Sequence, residues 1–372
     1  MPSTPCRRFF LHFFCVFTLF ALFNAAQAND SLYEVRRISV DETAKTEVAA
    51  KEKGLAVAKR RGLQRLLEIL TLRQDRGKLP KISDQQLEQM VYGLSVADEK
   101  MSRGQGRYLA SITIKYRPDL IRALLQQNAI PFVETQSKRL LILPVMRHAG
   151  TALLWEEGNA WFQAWARERL KGDLVPVALP WGDLGDVSVI NVREALAGDQ
   201  EKLMAIAGKY NADGVVLTVA SLEKAPLSSD QGIRIETRVM APGWDGVNFK
   251  SDYRSQEGQT LEQILAVASR NTLSELVESW KRGNLVDHSA GRRNLVVTVN
   301  VSGLQEWVSI RKKLEQQSTI DRYSLESLSV KEAVVSMDYI GTTEQLRTAL
   351  AQNDLRLDYD LAKQYWVLTV NR

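Results

Sequence analysis

The chain has 372 residues, is 45% hydrophobic and 25% charged, and carries a formal charge of +5 with three histidines and two cysteines. That length gives room for two or three domains with cores of ordinary size. Cys6 and Cys15 stand near the N-terminus and no cysteine follows, so disulfide staples, thiolate nucleophiles and Cys-ligated metals are excluded from the rest of the chain.

Residues 1–28 read as a cleavable secretory signal. Arg7 and Arg8 form a basic start, Phe9 to Phe23 an apolar stretch, and Ala26-Gln27-Ala28 a small-x-small cleavage site, so the working chain is expected to begin at Asn29. The rival reading is an uncleaved anchor, but the apolar run is about 15 residues where a bilayer core needs about 20. No later stretch reaches the length of an apolar span, so no other segment is expected to cross a membrane. The expected compartment is the periplasm, which disfavours nucleic acid as a partner. Cleavage removes both thiols and two positive charges, leaving a nearly balanced chain.

A first unit is expected over residues 29–130, in the order β-α-α-β-β-α. Leu32 to Val40 reads as a strand. Asp41 to Leu70 reads as a long helix loosened near Gly54 and Gly62, with Val48, Leu55, Ala58, Leu63, Leu66, Leu67 and Leu70 at helical spacing. Asp84 to Val91 is a shorter helix. Leu94 to Met101 leads through the turn Arg103-Gly104-Gln105-Gly106 into a strand where Tyr108, Ala110, Ile112, Ile114 and Tyr116 alternate with mostly polar residues. Pro118 opens the last helix. This unit carries 19 Lys/Arg against 13 Asp/Glu. The plain account is solvated helix faces; the functional one is a patch for an anionic surface.

A second unit is expected over residues 131–282 as a small, mostly parallel α/β sheet. Leu140 to Leu143, Val175 to Leu179 and Val215 to Val219 are apolar without alternation, as strands covered on both faces are. Helices Glu156 to Leu170 and Asp199 to Tyr210 lie between them, which argues for right-handed crossovers. Ile233 to Met240 alternates and adds an antiparallel edge, and Leu261 to Lys281 is an amphipathic helix. The polar stretch 283–293 reads as a linker. The third unit, residues 294–372, has the β-α-β-β-α-β order of a ferredoxin-like domain, with Thr342 capping the second helix and Asn353 closing it. Many functions use that fold, so it names none.

Few chemistries survive inspection. His148 and His288 follow a strand and fall in the linker, poor places for a triad or a zinc site. Ser221-Leu222-Glu223-Lys224 matches S-x-x-K but ends a strand instead of opening a helix and lacks the companion motifs. No phosphate-binding glycine motif occurs, and no cofactor or metal is implied. The most unusual segment holds Trp155, Trp161, Trp165, Trp181, Asp183 and Asp186. Trp161 and Trp165 share a helix face. These residues present a candidate ligand or partner surface, either a sugar-stacking cleft or, as a third choice, an acid pair for hydrolysis. A weak calcium site at the two aspartates is a further option. The plainer reading makes the tryptophans core and the aspartates turn or cap residues.

At these residues the chain resembles an exported proteobacterial family catalogued as domain of unknown function 2066. The resemblance rests on Arg139-Leu140-Leu141-Ile142-Leu143-Pro144-Val145, Leu154-Trp155, Asn159-Ala160-Trp161, Ala164-Trp165, Val175 to Pro180 and Gly182-Asp183-Leu184-Gly185-Asp186. Ala205 to Val215 and Leu32-Tyr33-Glu34-Val35 extend it over most of residues 31–225. Thr71-Leu72 stands where the pattern has a Thr-Gly turn. The resemblance brings no activity and no catalytic residue. By looser analogy, the middle unit is similar to the small α/β domains of envelope assembly proteins, such as the N-terminal domain of TolB. The expectation is a non-enzymatic interaction or assembly-accessory protein with envelope proteins as partners; the alternative is a glycan or small-ligand binding module.

Overall fold

The computed structural model describes residues 32–102, 106–148, 150–168, 174–224, 231–244, 246–255, 258–286 and 291–371. The proposed leader with its cleavage residues Ala26 and Ala28, turn residues 103–105 and His288 lie outside the described residues. Among the described residues the fold is mixed α/β, built on three sheets.

The first sheet is antiparallel, in the order β1 (Glu34–Thr43), β3 (Arg107–Tyr116), β2 (Val91–Ser102). Its alternating strand β3 buries Tyr108, Ala110, Ile112, Ile114 and Tyr116 on one face. Helix α1 (Glu47–Leu70) covers that face, opened by Thr46, whose hydroxyl accepts from the Ala49 N–H at 3.2 Å. The helix starts later than the sequence pattern predicts, because β1 extends to Thr43. It is also unbroken. Gly54 and Gly62 are buried against the sheet, and a methyl at Gly54 would stand 2.7 Å from Tyr108 Cδ1. Both glycines are contact points and cause no break, since only a hydrogen leaves room for the tyrosine rings. A 3-10 helix (Arg73–Lys78), α2 (Asp84–Met90) and α3 (Pro118–Gln127) complete the unit.

The central sheet runs β5 (Thr151–Leu153), β4 (Leu140–His148), β7 (Gly214–Lys224), β8 (Gln231–Met240), β9 (Asn248–Arg254), with the short β6 (Val177–Ala178) also on β4. Only β4–β6 and β4–β7 are parallel; β4–β5, β7–β8 and β8–β9 are antiparallel. The sheet is therefore mixed, correcting the mostly parallel expectation. The cause is a meander after β7 whose last strand, β9, has an alternating pattern of exposed and half-buried residues that carries no long apolar run. The central strands are covered on both faces as their composition predicts. Leu140 and Ile142 face α4 (Ala160–Arg167) and α8 (Leu261–Asn284), while Leu141, Leu143 and Val145 join a second cluster with Leu203 and Ile206 of α7 (Gln200–Lys209). Short helices α5 (Leu184–Val189) and α6 (Val192–Ala197) precede α7.

One apolar cluster extends from Leu32 through β3 and β4 to Trp280 of α8, so the first two units share a core. Helix α8 continues to Asn284, two residues into the expected linker, and Val286 pairs with Phe132.

The third unit has its own core. Its sheet order is β11 (Ile320–Leu328), β12 (Glu332–Ile340), β10 (Arg292–Asn300), β14 (Tyr365–Val370), β13 (Leu355–Asp360), with α9 (Leu304–Glu315) and α10 (Thr343–Gln352). Strand β13 extends the expected β-α-β-β-α-β pattern by one. It forms a hairpin with β14, which puts β14 parallel to β10; a four-stranded ferredoxin-like sheet has no such pairing. The unit meets the central one where Gln352 accepts from the Lys138 N–H at 2.6 Å and Lys138 Nζ binds Asp354 at 2.6 Å and Asp213 at 3.3 Å.

Candidate functional site

The candidate tryptophans separate into two environments. Trp161 and Trp165 of α4 are fully buried and meet edge to face at 5.6 Å between centroids. The Trp161 indole donates to the Thr218 carbonyl at 3.2 Å. Neither ring has a face to offer a ligand, so the surface expected from the sequence loses both. Helical phase is the reason: a four-residue spacing on α4 points both rings at the sheet. Helix α4 is positioned by Asn159, buried to 1% exposure. Its side-chain oxygen accepts from Phe162 N at 3.0 Å, and its amide donates to Pro144 O and Leu154 O, each at 2.9 Å.

Trp155 is half-buried and donates to the Ile190 carbonyl at 2.8 Å. Trp181 is 81% exposed, as is Leu184 at 87%, with Val187 beside them on α5. This apolar ridge stands on a charged support. Asp186 has 0% exposure. Its Oδ1 accepts from Lys209 Nζ at 2.6 Å, and its Oδ2 accepts from the Tyr210 hydroxyl at 2.7 Å and the Gly182 N–H at 2.8 Å. Tyr210 in turn accepts from the Trp181 N–H at 2.8 Å. Gly182 allows the tight approach by taking φ +72°, a region glycine enters without cost. Asp183 caps α5, accepting from Asp186 N at 2.9 Å and from Lys209 at 3.1 Å.

The electrostatics follow from these bonds. The Asp186 N–H, then Lys209, hold the Asp183 carboxyl below the usual carboxylate range. The hydrogen bond to Asp186 raises Lys209. Burial first, with the Asp186 carboxylate adding to it, pushes Tyr210 up to about 12. A general acid for glycoside hydrolysis needs a carboxyl raised toward neutrality; Asp183 is shifted the other way. Asp186 has both oxygens engaged by protein donors.

His148 is exposed at the end of β4, and Ser221 sits within the β7 ladder. Among the described residues no group of three or more His, Cys, Asp or Glu side chains is placed to hold a metal ion. Lys209 is a residue that no sequence pattern singles out. Its place nearly three turns along α7 from the Asp199 cap, next to Tyr210, carries no motif; it becomes visible only when α7 packs against α5. No protein-family model matches the chain, and neither a curated protein nor a solved structure does. No helix among the described residues is long and apolar enough to cross a membrane.

Proposed function

We propose that the chain is an exported, periplasmic protein of the family it resembles, acting through contact with other envelope proteins and not through catalysis. The observation that carries this reading is the ridge of Trp181 and Leu184, exposed to 81% and 87% yet anchored through backbone N–H groups to the buried Asp186 and its partners Tyr210 and Lys209. An exposed aromatic held on a rigid support is the kind of anchor on which protein interfaces concentrate their binding energy. The engaged state of Asp186 supports the absence of hydrolysis, and the leader supports export.

A photo-crosslinking residue at position 181 in native cells tests the reading. The expected result is one discrete protein adduct, absent when the residue is placed at Leu361, which is equally exposed at 84%. Equal labelling at both positions, or none at 181, overturns it. The exposed indole also favours glycan stacking as a second reading. Peptidoglycan fragments quenching wild-type fluorescence, but not that of Trp181→Phe, would support glycan over protein.

A further inference from the structure

A second place in the molecule, remote from Trp181 in sequence and in its supporting elements, has the makings of a binding site. Between α1, the 3-10 helix, α4 and α8 lies an open cleft of about 650 Å³, within the range of about 300–1,000 Å³ usual for small-ligand sites. Ile69, Leu273 and Val277 are half-buried side chains that line its apolar part.

The polar wall is unequal in charge. Arg65, Arg76, Arg167, Arg270 and Lys281 face three carboxylates, Glu68, Glu168 and Glu278. All three carboxylates are engaged: Glu68 by the Gln64 amide at 3.0 Å, Glu168 by Arg270 at 3.2 Å, and Glu278 by Lys281 at 2.9 Å and the Arg73 N–H at 3.1 Å. Arg167 pairs outward with Glu262. Arg76 differs: its Nε is buried with no hydrogen-bond partner. Buried donors are rarely left so. The positive field is felt by its neighbour, since Lys281 is lowered first by burial and further by the charges of Arg76 and Arg73.

We infer that this cleft binds a soluble, single-chain anionic amphiphile, with a phosphate monoester or carboxylate head at Arg76 and an apolar body over Ile69, Leu273 and Val277. The head group meets the Arg76 guanidinium from the cleft and offsets local positive charge, and guanidinium binds such heads through paired N–H donors. The apolar residues explain why a bare anion would use only part of the site.

Calorimetric titration of the purified chain with dodecyl phosphate, below its micelle concentration, tests this. Saturable 1:1 binding is expected, with inorganic phosphate and the neutral dodecyl maltoside each at least about tenfold weaker. Arg76→Gln should weaken dodecyl phosphate about tenfold or more, since a charged hydrogen bond is lost, while leaving the melting temperature in place. Leu273→Glu provides a second variant, placing a carboxylate over the apolar wall, with the same loss expected. No saturable binding, equal binding of either comparator, or an unchanged affinity in Arg76→Gln overturns the inference. So does binding to vesicles containing phosphatidic acid without binding of monomeric dodecyl phosphate.

Discussion

Lys281, near the end of α8, donates from its buried ammonium to the carbonyl of Thr71 at 2.9 Å. The same ammonium reaches the Glu68 carbonyl at 2.8 Å and Glu278 at 2.9 Å. The last carbonyls of a helix lack intrahelical partners and carry partial negative charge, so a cation from the central unit closes a helix of the first one. This bond adds a polar tie to the apolar core that the first two units share.

Lys281→Met removes that cation and leaves Glu278 buried without its partner. The expected cost is about 3–5 kcal/mol, the range for breaking a buried pair. Adding Glu278→Gln should recover part of the loss, because the uncompensated charge disappears while an acceptor for the Arg73 N–H remains. Urea denaturation midpoints of the two variants check this; a double variant less stable than the single one would contradict it.

Trp161→Ala and Trp165→Ala should each cost about 3–5 kcal/mol, as removal of a fully buried aromatic does. Trp181→Ala should change stability by no more than about 0.5 kcal/mol. Chemical denaturation of the three variants separates core from ridge, and a large loss at Trp181 would contradict its exposure.

Gly62→Ala should destabilise the chain, although alanine is the better helix former by about 1 kcal/mol. A methyl there would meet Ile38 Cδ1 at 2.8 Å and crowd the Tyr116 hydroxyl, and overpacking costs about 1–3 kcal/mol. The sign of the change in melting temperature decides between propensity and packing.

Tyr210 sets a pH limit on the ridge. Its folded pKa is raised to about 12 from 10.0, so between those values the folded protein retains a proton that the unfolded chain releases. Stability from this group is complete below pH 10 and falls as pH rises toward 12. The difference absorbance titration of wild type minus Tyr210→Phe should show one tyrosine ionising near 12; ionisation near pH 10 would mean that the hydroxyl is neither shielded from water nor held by Asp186.

Much of the fold is legible in particular residues. Thr342 caps its helix as its side chain allows. The alternation of β3 places its five apolar side chains on the core face, and the unbroken apolar run of β4 predicts a strand covered on both sides. Strand β13 is not legible in the sequence because Leu355 and Leu357 are its only buried residues, too few to mark a strand next to a helix end. The central sheet's mixed direction is not legible either, because side-chain patterns report burial and not the polarity of the neighbouring strand.

The candidate site divides the same way. Composition alone singled out Trp155, Trp161, Trp165, Trp181, Asp183 and Asp186, and local periodicity tied Trp161 to Trp165. Which indole meets solvent was decided by the tertiary structure, since it depends on Asp186 receiving Lys209 and Tyr210 from another helix. The sequence by itself determined the mixed α/β class, the apolar faces of β3 and β4 and the absence of thiols after Cys15, because these follow from residue types and their neighbours along the chain. The exposure of Trp181, the closing of α1 by Lys281 and the excess positive charge around Arg76 arose only on folding, because each depends on side chains that the backbone brings together from distant elements.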